Sequence, residues 1–298
     1  MDTVLELQGV QKRYGKVEAL TSLDLNVRPG EIYGFLGKNG AGKSTAIRII
    51  MGITKRTQGE VRLFGDPATP KNHVRLRQRI GYVAQEQTFY HWMTPAMLGR
   101  FVRGFYPTWN DDAFRRLIDR LGLPRDRRVG GFSGGMKVKL ALALALAHQP
   151  KLLVLDEPTA GLDPVARREF LELISDESEN SGATTFFSTH LIDEIDVAAH
   201  RVGIVDGGKT LYEGPVEALR MRYRRLSPET PEVQHQPPPP ATDPSAFRVV
   251  KERRRHEIPI YLVEASDPAR FAELEGYGWR VELLPLEELF IELVRGPT

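Results

Sequence analysis

The 298-residue chain contains no cysteine, which excludes disulfides, thiol nucleophiles and thiolate metal sites and fits a reducing compartment. It has no apolar run approaching the roughly 20 residues that cross a bilayer. The opening residues Met1-Asp2-Thr3-Val4-Leu5-Glu6 have neither a basic stretch nor a long apolar one, so no export signal is expected. These absences predict a soluble, cytosolic chain. The net charge of +2 is too small to argue for nucleic acid. No internal repeat is found. The length suffices for one large or two modest domains with a full core.

What the chain does have is the stretch Gly37-Lys38-Asn39-Gly40-Ala41-Gly42-Lys43-Ser44-Thr45, which matches GxxxxGKS. It follows the apolar run Ile32-Tyr33-Gly34-Phe35-Leu36, read as a buried strand, and opens the helical pattern Ala46 to Met51. In that setting the glycines let successive backbone N–H groups face a phosphate, and the helix N-terminus adds its positive dipole end. Lys43 would reach the β- and γ-phosphates and the Ser44 hydroxyl would ligate Mg²⁺. A glycine-rich turn that merely holds a lysine does not need the strand before it and the helix after it. The stretch therefore predicts a nucleoside triphosphate site.

Alternating apolar and polar positions before the loop, as in Leu5-Glu6-Leu7-Gln8 and Leu23 to Val27, predict antiparallel strands. Between them Tyr14 lies in a loop where it could stack on a base; taken alone, ordinary packing explains it as well. Gly59 to Gly65 reads as an exposed strand and Ile80 to Ala84 as a buried one ending at Gln85. Capped helix starts at Thr94-Pro95 and Asn110-Asp111-Asp112 predict a mostly helical insert over about 94–148. Aromatic residues gather near its entrance: Phe89, Tyr90, Trp92, Phe101, Phe105, Tyr106 and Trp109. Most of these read as core, with a groove for a partner helix as the alternative.

Gly130 to Gly135 leads into a helix that is apolar nearly all round, and Lys151 to Glu157 reads as a buried parallel strand ending in two carboxylates. Buried carboxylates at a strand end are costly unless they meet a cation or do chemistry. Asp156 is the expected Mg²⁺ partner of the loop, directly or through water, and Glu157 could polarise an attacking water. A turn-capping role at Pro158 is possible but would leave the loop without an acidic partner. Thr184 to His190 repeats the design with a histidine at its end. His148 and His200 have no comparable context and read as structural. Strands alternating with helices, with polar groups at strand C-termini, describe a parallel α/β sheet with its ligand at that edge.

After Arg220 the character changes. Arg220, Arg222, Arg224 and Arg225 precede a proline-rich stretch that includes Pro237 to Pro240, and Lys251 to Arg255 is a second basic run. Both runs read as solvated linker, with anionic lipid as the other possibility. The predicted organisation is α/β: a P-loop NTPase core over residues 1–222, a linker over 223–245, and a small α+β appendage over 246–298 with strands near 258–263 and 279–284 and helices near 268–274 and 286–293.

The order Tyr14, Gly37 to Thr45, Gln85, Phe132-Ser133-Gly134-Gly135-Met136, Leu152 to Glu157, Ala160-Gly161-Leu162-Asp163 and His190 resembles the ATP-binding subunit of an ABC transporter over residues 4 to about 220. The resemblance implies that Tyr14 stacks on adenine, that Gln85 couples metal and water to a transmembrane partner, and that His190 contacts the γ-phosphate. It further implies a head-to-tail pair of ATPase subunits, identical or paralogous. In that pair Ser133, Gly134 and Gly135 of one subunit meet the ATP held by Lys43 of the other, and Asp163 lies at the seam. On its own, Ser133 reads as a plain helix cap. Phe132 and Met136 stand where the family has Leu and Gln, and the three phosphate-contacting residues between them are kept.

The implied cofactors are ATP and Mg²⁺, the implied partners are separate transmembrane permease subunits, and the implied location is the inner face of the cell membrane. Leu286 to Phe290 and the insert segment Phe105 to Asn110 resemble the branch that exports drugs, antibiotics, lipids or glycans. Two competing readings remain: a soluble ATPase of the same fold acting on ribosomes or DNA, and a regulatory module with a purely structural ATP site. A single phosphate loop and the lack of a long coiled-coil insertion count against the first. Retention of Glu157, His190 and Ser133 counts against the second.

Overall fold

The computed structural model describes residues 3–230, 233, 246–255, 258–275 and 278–294. The chain begins with an antiparallel pair, β1 (Leu5–Tyr14) and β2 (Val17–Val27). Buried and outward positions alternate along both, with Leu5, Leu7, Val10, Leu23, Leu25 and Val27 turned into the core. Next come β3 (Ile32–Gly37), buried at every position, and α1 (Lys43–Ile50). β4 (Gln58–Leu63) and the two-residue β5 (Asp66–Pro67) extend the antiparallel side, and α2 (His73–Arg77) leads to β6 (Ile80–Val83).

The expected helical insert is present as α3 (Pro95–Arg103), α4 (Asp111–Arg120) and α5 (Gly134–Leu146). Thr94, Asn110 and Ser133 cap them by accepting from Met97 N, Ala113 N and Met136 N. β7 (Leu152–Asp156), α6 (Pro164–Ser181), β8 (Thr184–Thr189), α7 (Ile192–Ala198), β9 (Arg201–Asp206) and β10 (Lys209–Pro215) complete the larger unit. Its sheet runs β5-β4-β1-β2-β10-β9-β3-β8-β7-β6, antiparallel at one side and parallel from β9 to β6. All the parallel strands point their C-terminal ends the same way, which gathers Gly37, Asp156 and Thr189 at one edge.

The chain divides into Met1–Glu213 and Gly214–Thr298. The second unit holds α8 (Val216–Arg222), β11 (Tyr223–Pro228), β12 (Phe247–Arg255), β13 (Ile258–Ala265), α9 (Phe271–Glu275), β14 (Trp279–Glu282) and α10 (Leu286–Val294). Its sheet runs β12-β13-β11-β14, around a core of Leu226, Phe247, Tyr261, Val263, Phe271 and Trp279. The α+β appendage is thus present, but it starts earlier than the sequence suggested.

Residues 223–228, read as linker, form a central strand. The two basic runs are folded rather than solvated: Arg222 and Arg248 meet the buried Glu264, Arg225 meets Glu288 at 2.6 Å, and Arg253 meets Glu292 at 2.8 Å. Their guanidinium heads find glutamates supplied by later elements, so a basic run can still build a strand. The prolines 237–240 lie outside the described residues.

The aromatic cluster also differs from expectation. None of its seven members is fully buried, and Tyr90, Trp92, Phe101 and Phe105 are exposed. On α3 the apolar face spent on the core is Leu98 with the small Gly99, which leaves Phe101 outward, in edge contact with Phe105 at 5.4 Å between centroids. His148 is a buried packing group and His200 an exposed backbone acceptor. His148 lies 3.2 Å from Ile80 O and stacks on Tyr106, while His200 Nδ1 accepts from Ile32 N at 3.1 Å.

Candidate phosphate-loop site

The site begins with backbone conformation. Gly40 and Gly42 take φ of +83° and +105°, and a Cβ on Gly42 would stand 2.7 Å from Ala19 O and 2.6 Å from Leu20 Cδ2. Gly37 is closed in differently: a Cβ there would meet Val205 O on the neighbouring strand at 2.6 Å. Only glycine fits at 37 and 42, so the loop can turn tightly from β3 into α1. The turn also buries Lys43, whose ammonium donates to Gly37 O at 2.7 Å and Lys38 O at 3.1 Å.

Opposite the loop, β7 delivers Asp156 and Glu157. Ser44 Oγ donates to Asp156 Oδ1 at 3.1 Å, and Ser188 Oγ donates to the same oxygen at 2.9 Å. Burial pushes the Asp156 carboxyl above the usual carboxylate range, and the Glu157 charge adds to this, while the two serine hydroxyls favour the ionised form. Glu157 has a left-handed φ of +43°, which is uncommon for a residue with a side chain, and its N–H donates to Ser188 Oγ at 3.0 Å. Its carboxylate lies between two side chains, with Oε1 3.1 Å from Lys43 Nζ and Oε2 3.3 Å from His190 Nδ1.

Five of the residues singled out from the sequence therefore converge: Lys43, Ser44, Asp156, Glu157 and His190. Gly37 and Lys38 join them through the carbonyls that accept from Lys43, whereas Tyr14, Gln85, Ser133 and Asp163 make no hydrogen bond or ion pair with them. Tyr14 is 45% exposed at the end of β1, with the Lys12 ammonium 4.6 Å from its ring centre. Gln85 is exposed just beyond β6. Ser133 is exposed and bonded only to its own helix, and open space lies beside Gly134. Asp163 is exposed and caps α6 through Val165 N and Ala166 N.

Ser188 was not anticipated. The signal available was a hydroxyl directly after the apolar pair Phe186-Phe187, two residues before His190.

The donor set facing the loop is made of hard oxygens, Ser44 Oγ and the Asp156 carboxylate. Among the described residues no group of three or more His, Cys, Asp or Glu side chains could hold a metal by itself. A sparse pair of oxygen ligands suits Mg²⁺, which keeps waters and shares its shell with phosphate oxygens, and does not suit an all-protein metal cage. No described helix is long and apolar enough to cross a membrane.

A family profile described as "ABC transporter" matches residues 20–160. The bacitracin transport ATP-binding protein BcrA of Bacillus licheniformis is 37% identical over 230 residues, spanning 76% of this chain and 74% of that protein. The Nod factor export ATP-binding protein I of Burkholderia pseudomallei (strain 1710b) is 37% identical over 226 residues, spanning 72% of each. Among solved structures, cbiO1 from Clostridium perfringens, part of the ABC transporter complex cbiONQ, matches with a TM-score of 0.64 at 27% identity, over 72% of this chain and 89% of that one.

Proposed function

The chain belongs to the ABC transporter ATP-binding family and is the ATP-hydrolysing subunit of such a transporter; from that premise we propose how its residues divide the work and what the transporter moves. The observation that carries the proposal is the convergence of Lys43, Ser44, Asp156, Glu157 and His190 at one sheet edge. Lys43 holds the β- and γ-phosphates of ATP, the loop amides of residues 37–45 cradle them, and Tyr14 stacks on adenine. Ser44 and Asp156 hold Mg²⁺, which would neutralise phosphate charge as the bond to the γ-phosphate breaks.

Glu157 serves as the base that orients and polarises the attacking water. To do so its carboxylate gives up Lys43 to the incoming phosphate. His190, on its other side, takes the γ-phosphate contact and keeps the carboxylate turned into the site. Two subunits close head-to-tail, so that Ser133, Gly134 and Gly135 of one complete the site of the other, and Asp163 lies at the seam. An exposed serine at the N-terminus of a 13-residue helix suits that task, because its amides and dipole favour an anion.

Closure would be transmitted through Gln85 to permease subunits on the inner face of the membrane. The exposed Tyr90, Trp92, Phe101 and Phe105 form the apolar surface for that partner. Export of a drug, antibiotic, lipid or similar compound is supported by the relatives named for bacitracin transport and Nod factor export.

The test is sedimentation of the Glu157→Gln variant with and without ATP and Mg²⁺. An ATP-dependent shift from monomer to dimer that is lost on adding Ser133→Arg is the expected result. No shift, with ATP still bound, would refute the homodimer.

A further inference from the structure

The division of work above leaves Ser188 unused, although its side chain touches both carboxylate residues. Ser188 is completely buried at the end of β8, and it stands opposite Asp156 in the parallel register of β7 and β8. One oxygen atom makes two different bonds there. It gives its hydrogen to Asp156 Oδ1 at 2.9 Å and takes the hydrogen of Glu157 N at 3.0 Å.

The second bond meets a backbone need. At φ +43° the chain leaves the direction of β7 immediately after Asp156, so the Glu157 amide cannot continue the strand ladder. A left-handed conformation at a residue with a side chain persists only where its surroundings fix it, and a buried amide requires an acceptor. Ser188 Oγ is that acceptor. The turn it secures is what swings the Glu157 carboxylate to a point 3.1 Å from Lys43 Nζ and 3.3 Å from His190 Nδ1.

The first bond acts on the neighbour. With Ser44 and Ser188 both donating to Oδ1, the Asp156 carboxyl plane is fixed from two sides. The Ser188 hydroxyl is also one of the groups that favour the ionised carboxyl against burial.

We propose that Ser188 is the positioning residue of the Asp156–Glu157 pair, holding the backbone turn that aims Glu157 and the carboxylate orientation of Asp156 through a single hydroxyl. This inference rests on the ATPase reading of the site. It requires a side chain that donates and accepts at one atom in a sealed position. Serine and threonine meet that requirement, alanine does not, and the cysteine thiol does so only weakly.

Steady-state ATP hydrolysis by the full chain tests it, with Ser188→Ala, Ser188→Cys, Ser188→Thr and Glu157→Gln run beside the parent. Ser188→Cys nearly preserves volume, so it stands in should the alanine variant fail to fold. The expected result is a kcat lowered about tenfold or more in the alanine and cysteine variants, a loss of about 1.4 kcal/mol of transition-state stabilisation. The KM for ATP should stay within about threefold of the parent, and threonine should restore kcat.

Parental kcat in the cysteine variant would overturn the inference, as would a threonine variant as slow as the cysteine one. So would a loss that appears only as a raised KM, because Ser188 would then support binding and not the aim of the pair. The control separates the two levels of argument. If Glu157→Gln hydrolyses ATP at the parental rate, the reading of the site fails; if it is inactive while Ser188→Ala and Ser188→Cys are unimpaired, only the role of Ser188 fails.

Discussion

Acid should weaken this fold chiefly through one histidine, His148. His148 is 1% exposed just beyond the C-terminal end of α5, stacked on Tyr106 with ring centres 3.9 Å apart, and its Nε2 lies 3.2 Å from Ile80 O at the start of β6. Burial drives the imidazole down to about 4, against the carbonyls of Ile80 and Leu144, which favour a proton. In the unfolded chain the same group titrates near 6.5. The folded value is therefore the lower one, so its contribution to stability is full above about pH 6.5 and is lost as pH falls from there towards 4. Between pH 7.5 and 5.0 the unfolded chain takes up nearly one proton that the fold refuses, and the linkage integral gives a loss of about 2 kcal/mol.

His73, lowered by burial and by the Arg77 charge, acts in the same direction, whereas the buried carboxyls act with the opposite sign. Burial raises the carboxyls of Asp156, Glu31 and Glu213, so acidification relieves their cost in the fold. The histidine is isolated by comparison with His148→Gln, which does not titrate. Thermal unfolding followed by circular dichroism at the two pH values is the assay. The parent should be the more stable at pH 7.5. Its advantage should shrink by about 2 kcal/mol at pH 5.0, or roughly 4 to 8 °C in Tm for a unit of this size. A parent-to-variant gap that is the same at both pH values would refute the assignment of a suppressed, neutral imidazole.

Three further outcomes follow from the geometry. Lys43→Ala removes an ammonium that is 4% exposed and bonded to Gly37 O and Lys38 O, and titration with a fluorescent ATP analogue should show at least a tenfold loss of affinity; unchanged affinity would contradict the phosphate role. Gly42→Ala forces a side chain to φ +105° with its Cβ 2.7 Å from Ala19 O, so it should cost about 1–3 kcal/mol and weaken nucleotide binding, both checked by melting with and without ATP. Trp279→Ala empties a site that is 1% exposed and should cost about 3–5 kcal/mol, seen as proteolytic opening within residues 214–294 while the ATP analogue still binds.

What a single sequence discloses here depends on whether a feature is fixed by its neighbours in the chain. The turn at Gly40 and Gly42, the strand before it and the helix after it are set by local conformation, so the phosphate loop was legible as a unit. Asp156 was legible because a carboxylate at the end of four consecutive buried apolar residues needs a reason. The strands β11 and β12 were hidden because their arginines are neutralised by Glu264, Glu288 and Glu292, between 16 and 63 residues away in sequence. No local pattern carries that pairing. The exposed Phe101 and Phe105 were misread for a related reason. Aromatic content predicts burial only if some other element covers the face, and among the described residues nothing in this chain covers theirs. Ser188 marks the limit in the opposite direction. One serine among the threonines of a buried strand is one of the least informative letters in a sequence, and it acquires meaning only when the register of β7 and β8 sets its oxygen between Asp156 and the Glu157 amide. The residues that do chemistry can be read from their own type and spacing, whereas the residues that aim them are defined by sheet register. That is why the second kind has to be sought in the structure, beginning with buried hydroxyls at the strand ends around the site.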